Sequence, residues 1–108
     1  MKRALLPFAL SLTLSAGAAP AATLARGEAL VTHHCGGCHA TARDDRSREP
    51  AAPPLRELNR RYDTEQLGEA LAEGLLVGHP MMPQFRFPAE DVKSILLYLK
   101  SIQTREGG

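Results

Sequence analysis

The stretch Cys35-Gly36-Gly37-Cys38-His39 decides how the rest of this chain is read. Two thiols three positions apart on one turn of backbone can each form a thioether with one of the two vinyl groups of a single haem. C-x-x-C-H is the pattern that such attachment leaves in a sequence. The histidine follows at once, so its imidazole can reach the iron from one side while the thioethers hold the ring edge. Gly36 and Gly37 add no side chains, which lets backbone lie close to the porphyrin. Two other readings of the same residues stay open. Cys35 and Cys38 could form a redox disulfide, although the βαβ pattern around thioredoxin-like motifs is absent from the sequence. They could also supply half of a zinc site, but there is no second cysteine pair, and His33, His34 or His79 would have to complete it.

Outward from the motif, the 108 residues divide into a leader and one small domain. Lys2 and Arg3, the apolar run Leu5–Leu14 and the small residues Ala16-Gly17-Ala18 make residues 1–18 a secretory signal peptide. The apolar run is broken by Pro7 and is too short for a membrane span, so no stable span is expected once the leader is removed. Residues 19–23 are a flexible remainder, 24–103 the domain and 104–108 a frayed tail. Loss of Lys2 and Arg3 leaves 11 basic against 12 acidic side chains. That balance lacks the basic surplus of a nucleic-acid binder. A domain of this size is near the limit at which a core alone gives stability, so a covalently held apolar cofactor would supply much of its interior, and conspicuous apolar residues are expected to face it.

Helical signals recur along the domain. Thr23 can cap a first helix whose inner face carries Leu24, Gly27 and Val31. Residues 40–54 read as a charged, proline-containing loop in which Arg43, Arg46 and Arg48 alternate with Asp44, Asp45 and Glu49 as a solvated face. Leu55–Leu58 reads as a short helical turn. Asp63 and Gln66 open a second helix in a box-like arrangement, Leu67, Ala70, Leu71 and Leu75 repeat along it, and Gly74 and Gly78 end it. Pro88, Glu90 and Asp91 open a last helix with an apolar stripe of Val92, Ile95, Leu96, Leu99 and Ile102. Between these two helices, His79-Pro80-Met81-Met82-Pro83 is held extended by its prolines. A thioether sulfur is a soft ligand suited to haem iron. Met81, Met82 and His79 are all candidates for the second axial position. Pro83 restricts Met82 to extended backbone, and adjacent side chains on such a chain point to opposite sides.

Taken together, these residues resemble the small class I cytochromes c, the mono-haem c-type family. The resemblance covers residues 24–102 and rests on Gly27, the Cys35–His39 motif, Pro53-Pro54-Leu55, Met82-Pro83 and the stretch Ile95–Lys100. Val31 departs from it where many members carry an aromatic residue, and Ala52 where many carry glycine. It implies an all-α cytochrome c fold, with three principal helices plus a short helical turn around one haem c bound through Cys35 and Cys38. It further implies His39 and Met82 as iron ligands and the Pro53 carbonyl as acceptor for the second ring nitrogen of His39. Tyr62 with Arg60 or Arg61 would reach a haem propionate, and Gly27 would let the first and last helices cross closely. The implied activity is single-electron transfer in the periplasm by a protein that is not itself an enzyme. It would serve as a soluble carrier or as the haem subunit of an oxidoreductase complex, with redox proteins such as a dehydrogenase or terminal oxidase as donor and acceptor. An enzyme or gas-binding haem protein would instead need an open or labile axial position.

Overall fold

Thr23 starts the domain as the sequence suggests: its hydroxyl accepts from the Arg26 N–H and caps the helix Leu24–Cys35, α1. The computed structural model describes residues 2–14, 21–74 and 81–104. A 3₁₀ turn, Leu55–Arg60, follows the long loop after the motif. Helices α2, Thr64–Glu73, and α3, Ala89–Ile102, complete the order. The described residues contain no strand, and no described helix is long and apolar enough to cross a membrane. The architecture is therefore all-α, with three helices and one helical turn as expected.

The packing centre is the crossing of α1 over α3. At Gly27 an added Cβ would lie 1.9 Å from the Ser94 carbonyl oxygen and 2.9 Å from the Tyr98 Cβ. No side chain fits between backbones that close, so the cost of glycine inside a helix is offset by the contact that it permits. Val31, one turn further along α1, is fully buried. The core gathers Val31 with Leu55 and Leu58 of the 3₁₀ turn, Leu67 and Leu71 of α2, and the α3 stripe of Val92, Ile95, Leu99 and Ile102. Tyr98 is buried among them, and its hydroxyl donates to the Thr41 carbonyl at 2.6 Å. Lys100 of α3 pairs with Glu65 of α2 across the surface.

The ends of α2 and α3 refine the sequence reading. Asp63 caps α2 by accepting from the Glu65 N–H at 3.0 Å. Gly74, at φ +74°, terminates it in the left-handed region that glycine enters without strain. Leu75, Gly78, His79 and Pro80 lie outside the described residues. The tail differs from expectation at Thr104, whose N–H donates to the Arg56 carbonyl at 2.7 Å while its own carbonyl accepts from Asn59 Nδ2 at 3.0 Å. Gln103 reinforces the attachment, its Nε2 reaching the carbonyls of Leu55 and Leu99, each at 2.8 Å. A polar chain end stays put here because carbonyls left over at the end of α3 and in the 3₁₀ turn need donors.

Residues 2–14 are exposed throughout and carry no helix. Leu5, Leu6, Phe8, Leu10, Leu12 and Leu14 are the exposed large apolar groups among them.

The Gly27 contact sets a first expectation. Gly27→Ala should lower the stability of the protein by about 1–3 kcal/mol, because the steric conflict with the Ser94 backbone outweighs alanine's better helix propensity. The measurement is the denaturant midpoint at unchanged slope.

Candidate functional site

The motif sits where α1 ends. Gly36 N–H and His39 N–H close the last turns onto the carbonyls of Thr32 and Cys35, at 3.2 and 2.9 Å. Glycine at position 36 has a local cause that the sequence did not disclose: a Cβ there would meet the Thr32 carbonyl oxygen at 2.4 Å. Gly37, by contrast, faces open space.

Three successive residues are then tied to the far side of the following loop. The Cys38 carbonyl accepts from Glu49 N–H at 3.1 Å, and the Ala40 carbonyl accepts from Leu55 N–H at 3.0 Å. Between them the His39 Nδ1 lies 2.7 Å from the Pro53 carbonyl oxygen. A carbonyl can only accept, so Nδ1 carries the proton and Nε2 keeps its lone pair. Pro53 thus fixes both the tautomer and the orientation of the imidazole. The Cys38–Ala40 backbone has little freedom to move, and the ring it carries has less.

Both cysteines are free thiols. Cys35 is half-buried against the core and burial pushes its pKa up to about 11, whereas Cys38 is exposed. A neutral buried thiol is a poor zinc ligand and a sluggish redox thiol, because thiolate is the reactive form. Among the described residues no three His, Cys, Asp or Glu side chains come together to hold a metal ion. The surroundings suit a haem better. Leu30, Cys35, Phe85 and Phe87 pack on the core yet remain only partly buried, leaving apolar surface beside the thiol. A groove of ≈ 810 Å³ also touches His39 and Gly36, but Glu28, His33, Asp45, Arg46 and Arg48 line it. Walls this charged do not match an apolar ring, so we place the candidate haem face at Cys35, Phe85 and Phe87 instead.

The remaining candidates are spread over other elements. Met82 is half-buried, whereas its neighbour Met81 is 86 % exposed. Both belong to the extended stretch before α3, and Phe87 of that stretch donates its N–H to the Leu71 carbonyl at 2.9 Å. Tyr62 and Arg61 follow the 3₁₀ turn, with their N–H groups bonded to the Leu58 carbonyl at 3.2 and 2.9 Å. Partial burial raises the Tyr62 pKa, and the adjacent Arg61 charge opposes that rise. Arg61 itself is exposed, while Arg60 lies 3.7 Å from Glu57 on the same turn.

The loop over residues 41–48 is more than a solvated face. Asp45 accepts from the N–H groups of Thr41 and Ala42, both at 3.0 Å. Arg56 donates to the Asp45 carbonyl at 2.8 Å, and Ala40 N–H to Ser47 Oγ at 2.9 Å. Arg43 crosses to the Ser101 carbonyl at the end of α3. Alternating charge reads as solvation because sequence alone does not show which carboxylate turns back on its own backbone. The spacing of Thr41 and Asp45 was the one available sign.

Residues 22–99 match the family model described as cytochrome c oxidase, cbb3-type, subunit III. No curated protein and no solved structure matches the chain.

The loop network carries its own test. Asp45→Ala removes the acceptor from two amides that support the residues after His39. Hydrogen exchange at Thr41 and Ala42 should accelerate by about fivefold or more, the factor that corresponds to ~1 kcal/mol per lost bond.

Proposed function

Because the chain belongs to the cbb3-type cytochrome c oxidase subunit III family, a small mono-haem c-type cytochrome domain built for haem-based electron transfer, we propose that it carries single electrons in the periplasm. In this reading one haem c is bound through Cys35 and Cys38. His39 and Met82 would be the protein ligands to its iron. The observation that carries it is the His39–Pro53 contact, directly after two unpaired thiols. It leaves one nitrogen lone pair available, on a ring that cannot swing. When bound, the haem supplies the redox chemistry by cycling between ferric and ferrous iron.

The chain's own residues do the rest. The backbone bonds from Cys38 and Ala40 to the 49–55 stretch hold the histidine side rigid, which keeps reorganisation small when charge changes. Phe85 and Phe87 would offer a bound haem an apolar wall, which excludes water and favours the less charged form of the site. Half-burial of Met82 against near-complete exposure of Met81 supports Met82 as the ligand, as does the backbone restriction that Pro83 imposes on it. Tyr62 and Arg61 are the groups we assign to a haem propionate. A terminal oxidase, in keeping with the family, is the partner class we favour, the domain serving as soluble carrier or as a haem subunit of the complex. Export rests on the leader pattern of residues 1–18.

One mass measurement reads attachment and export together. The exported protein should begin between Ala19 and Thr23 and should exceed the cleaved polypeptide by one haem that survives acid–acetone extraction. Replacing both Cys35 and Cys38 should abolish attachment. A colourless product at polypeptide mass, from a host competent in haem attachment, overturns the reading.

The axial assignment is separable from this. Ferric haem with a methionine sulfur ligand shows a weak red charge-transfer band. Met82→Ala should lose it, drop in reduction potential and gain carbon monoxide binding, while Met81→Ala should keep it. Retention of the band in Met82→Ala would transfer the role to Met81. Rapid carbon monoxide binding by the unmodified protein would favour an open-site haem protein over an electron carrier.

A further inference from the structure

His34 has no part in the function proposed above, yet its surroundings are specific. Phe85 and Phe87 alternate along extended chain and so lie on one side of it, with ring centroids 5.2 Å apart and planes inclined by 17°. The His34 ring stands edge-on to both, 5.0 Å from Phe87 and 6.0 Å from Phe85. These are the separations and angles at which aromatic pairs attract beyond their area of contact. His33 adds a further edge-on ring at 4.7 Å from His34. An exposed histidine on the last turn of a helix has no packing reason to meet two phenylalanines from a remote segment. The contact joins α1 to the segment before α3 through aromatic rings.

Those parts are the two sides of the proposed haem site. His34 immediately precedes Cys35 on α1. Phe85 follows Met82 by three residues. The far edge of the same segment is already held by α2. Phe87 N–H is bonded to the Leu71 carbonyl, and a Cβ on Gly74 would meet Arg86 Nε at 2.9 Å and the Phe85 carbonyl at 3.4 Å. The segment is therefore gripped by α2 through its backbone and by α1 through its rings.

We propose that His34 is a positioning residue for the methionine side of the site: its edge-on contact with Phe85 and Phe87 ties the helix bearing the haem-attachment cysteines to the segment bearing the sixth ligand. This rests on the methionine-ligation reading above. A bond from a neutral thioether to ferric iron competes poorly with nitrogen ligands, so the extent to which the segment is held in place shows directly in how easily it is displaced. Releasing one aromatic contact should change that equilibrium by about two- to tenfold.

The test uses the ferric, haem-loaded protein titrated with imidazole, following loss of the red band. His34→Ala should raise imidazole affinity by about two- to tenfold. His34→Phe, which keeps a ring at the contact, should stay close to the parent. Phe87→Leu removes the contact from the other side and should raise the affinity by itself. In that background His34→Ala should add less than it does in the parent, because both changes remove the Phe87 contact and only the one to Phe85 is left to lose. An unmoved His34→Ala, a His34→Phe that behaves like alanine, or simple additivity with Phe87→Leu overturns the proposal while the methionine reading stands. A parent protein without the red band overturns the methionine reading and this proposal with it.

Discussion

The contact between Gly27 and the Ser94 backbone is the constraint on which the rest of the structure depends. Helix α1 carries the motif at its end, so its direction decides where Cys35 and His39 appear. That direction is set by α3 at three points. Ser94 Oγ takes the Thr23 N–H at the entry to α1, the Gly27–Ser94 crossing fixes the middle, and Tyr98 holds the Thr41 carbonyl just beyond the motif. Arg26 and Asp91 form an ion pair at 2.7 Å beside the crossing, but the arginine is exposed and such pairs contribute little. Steric fit and burial of Val31, Leu99 and Tyr98 decide the geometry, and the charge pair decorates it.

The two sides of the site are held by different physics. On the histidine side, backbone bonds from Cys38 and Ala40 flank the His39–Pro53 contact, so the imidazole is positioned by a short ladder of directional bonds. Hydrogen bonds of this kind have narrow geometry and resist small displacements. On the methionine side, Phe87 N–H bonds to the Leu71 carbonyl, and the rings of Phe85 and Phe87 stack on one another. Packing without direction tolerates small shifts. In the proposed reading, a rigid histidine side facing a more adaptable methionine side would suit a site that keeps both ligands through changes of iron charge.

Much of this was legible in the residues. The motif spacing, the Thr23 cap and the α3 stripe each rest on a local rule strong enough to survive folding: ligand chemistry, cap hydrogen bonding and helical period. Gly27 was legible as an anomaly, because an interior glycine asks for a close neighbour. What stayed hidden depends on pairs far apart in sequence. Asp45 looks like any loop carboxylate until it turns back on Thr41 and Ala42. Thr104 looks like a free end until the Arg56 carbonyl claims its N–H. His34 offered only a possible metal ligand, since its phenylalanine neighbours lie some fifty residues away. Gly36 was read as clearance for a porphyrin, but the Thr32 carbonyl already demands it.

The core revises one more expectation drawn from size. A small domain with a covalent cofactor was expected to turn its conspicuous apolar residues toward that cofactor. Leu55, Leu58, Leu67, Leu71 and the α3 stripe are instead buried by one another, with protein atoms alone covering them. A side chain already covered by protein has little surface left to offer a ligand. Beside the thiol, apolar area is still open on a rim of Leu30, Cys35, Phe85 and Phe87. A haem held at Cys35 would therefore extend an existing core at its edge and would not replace a missing one. Its stabilising contribution then comes from covering the rim and from tethering the motif through two covalent bonds. The rings on that rim also contact His34, so in the proposed reading covering the rim and seating the methionine segment would be one packing event.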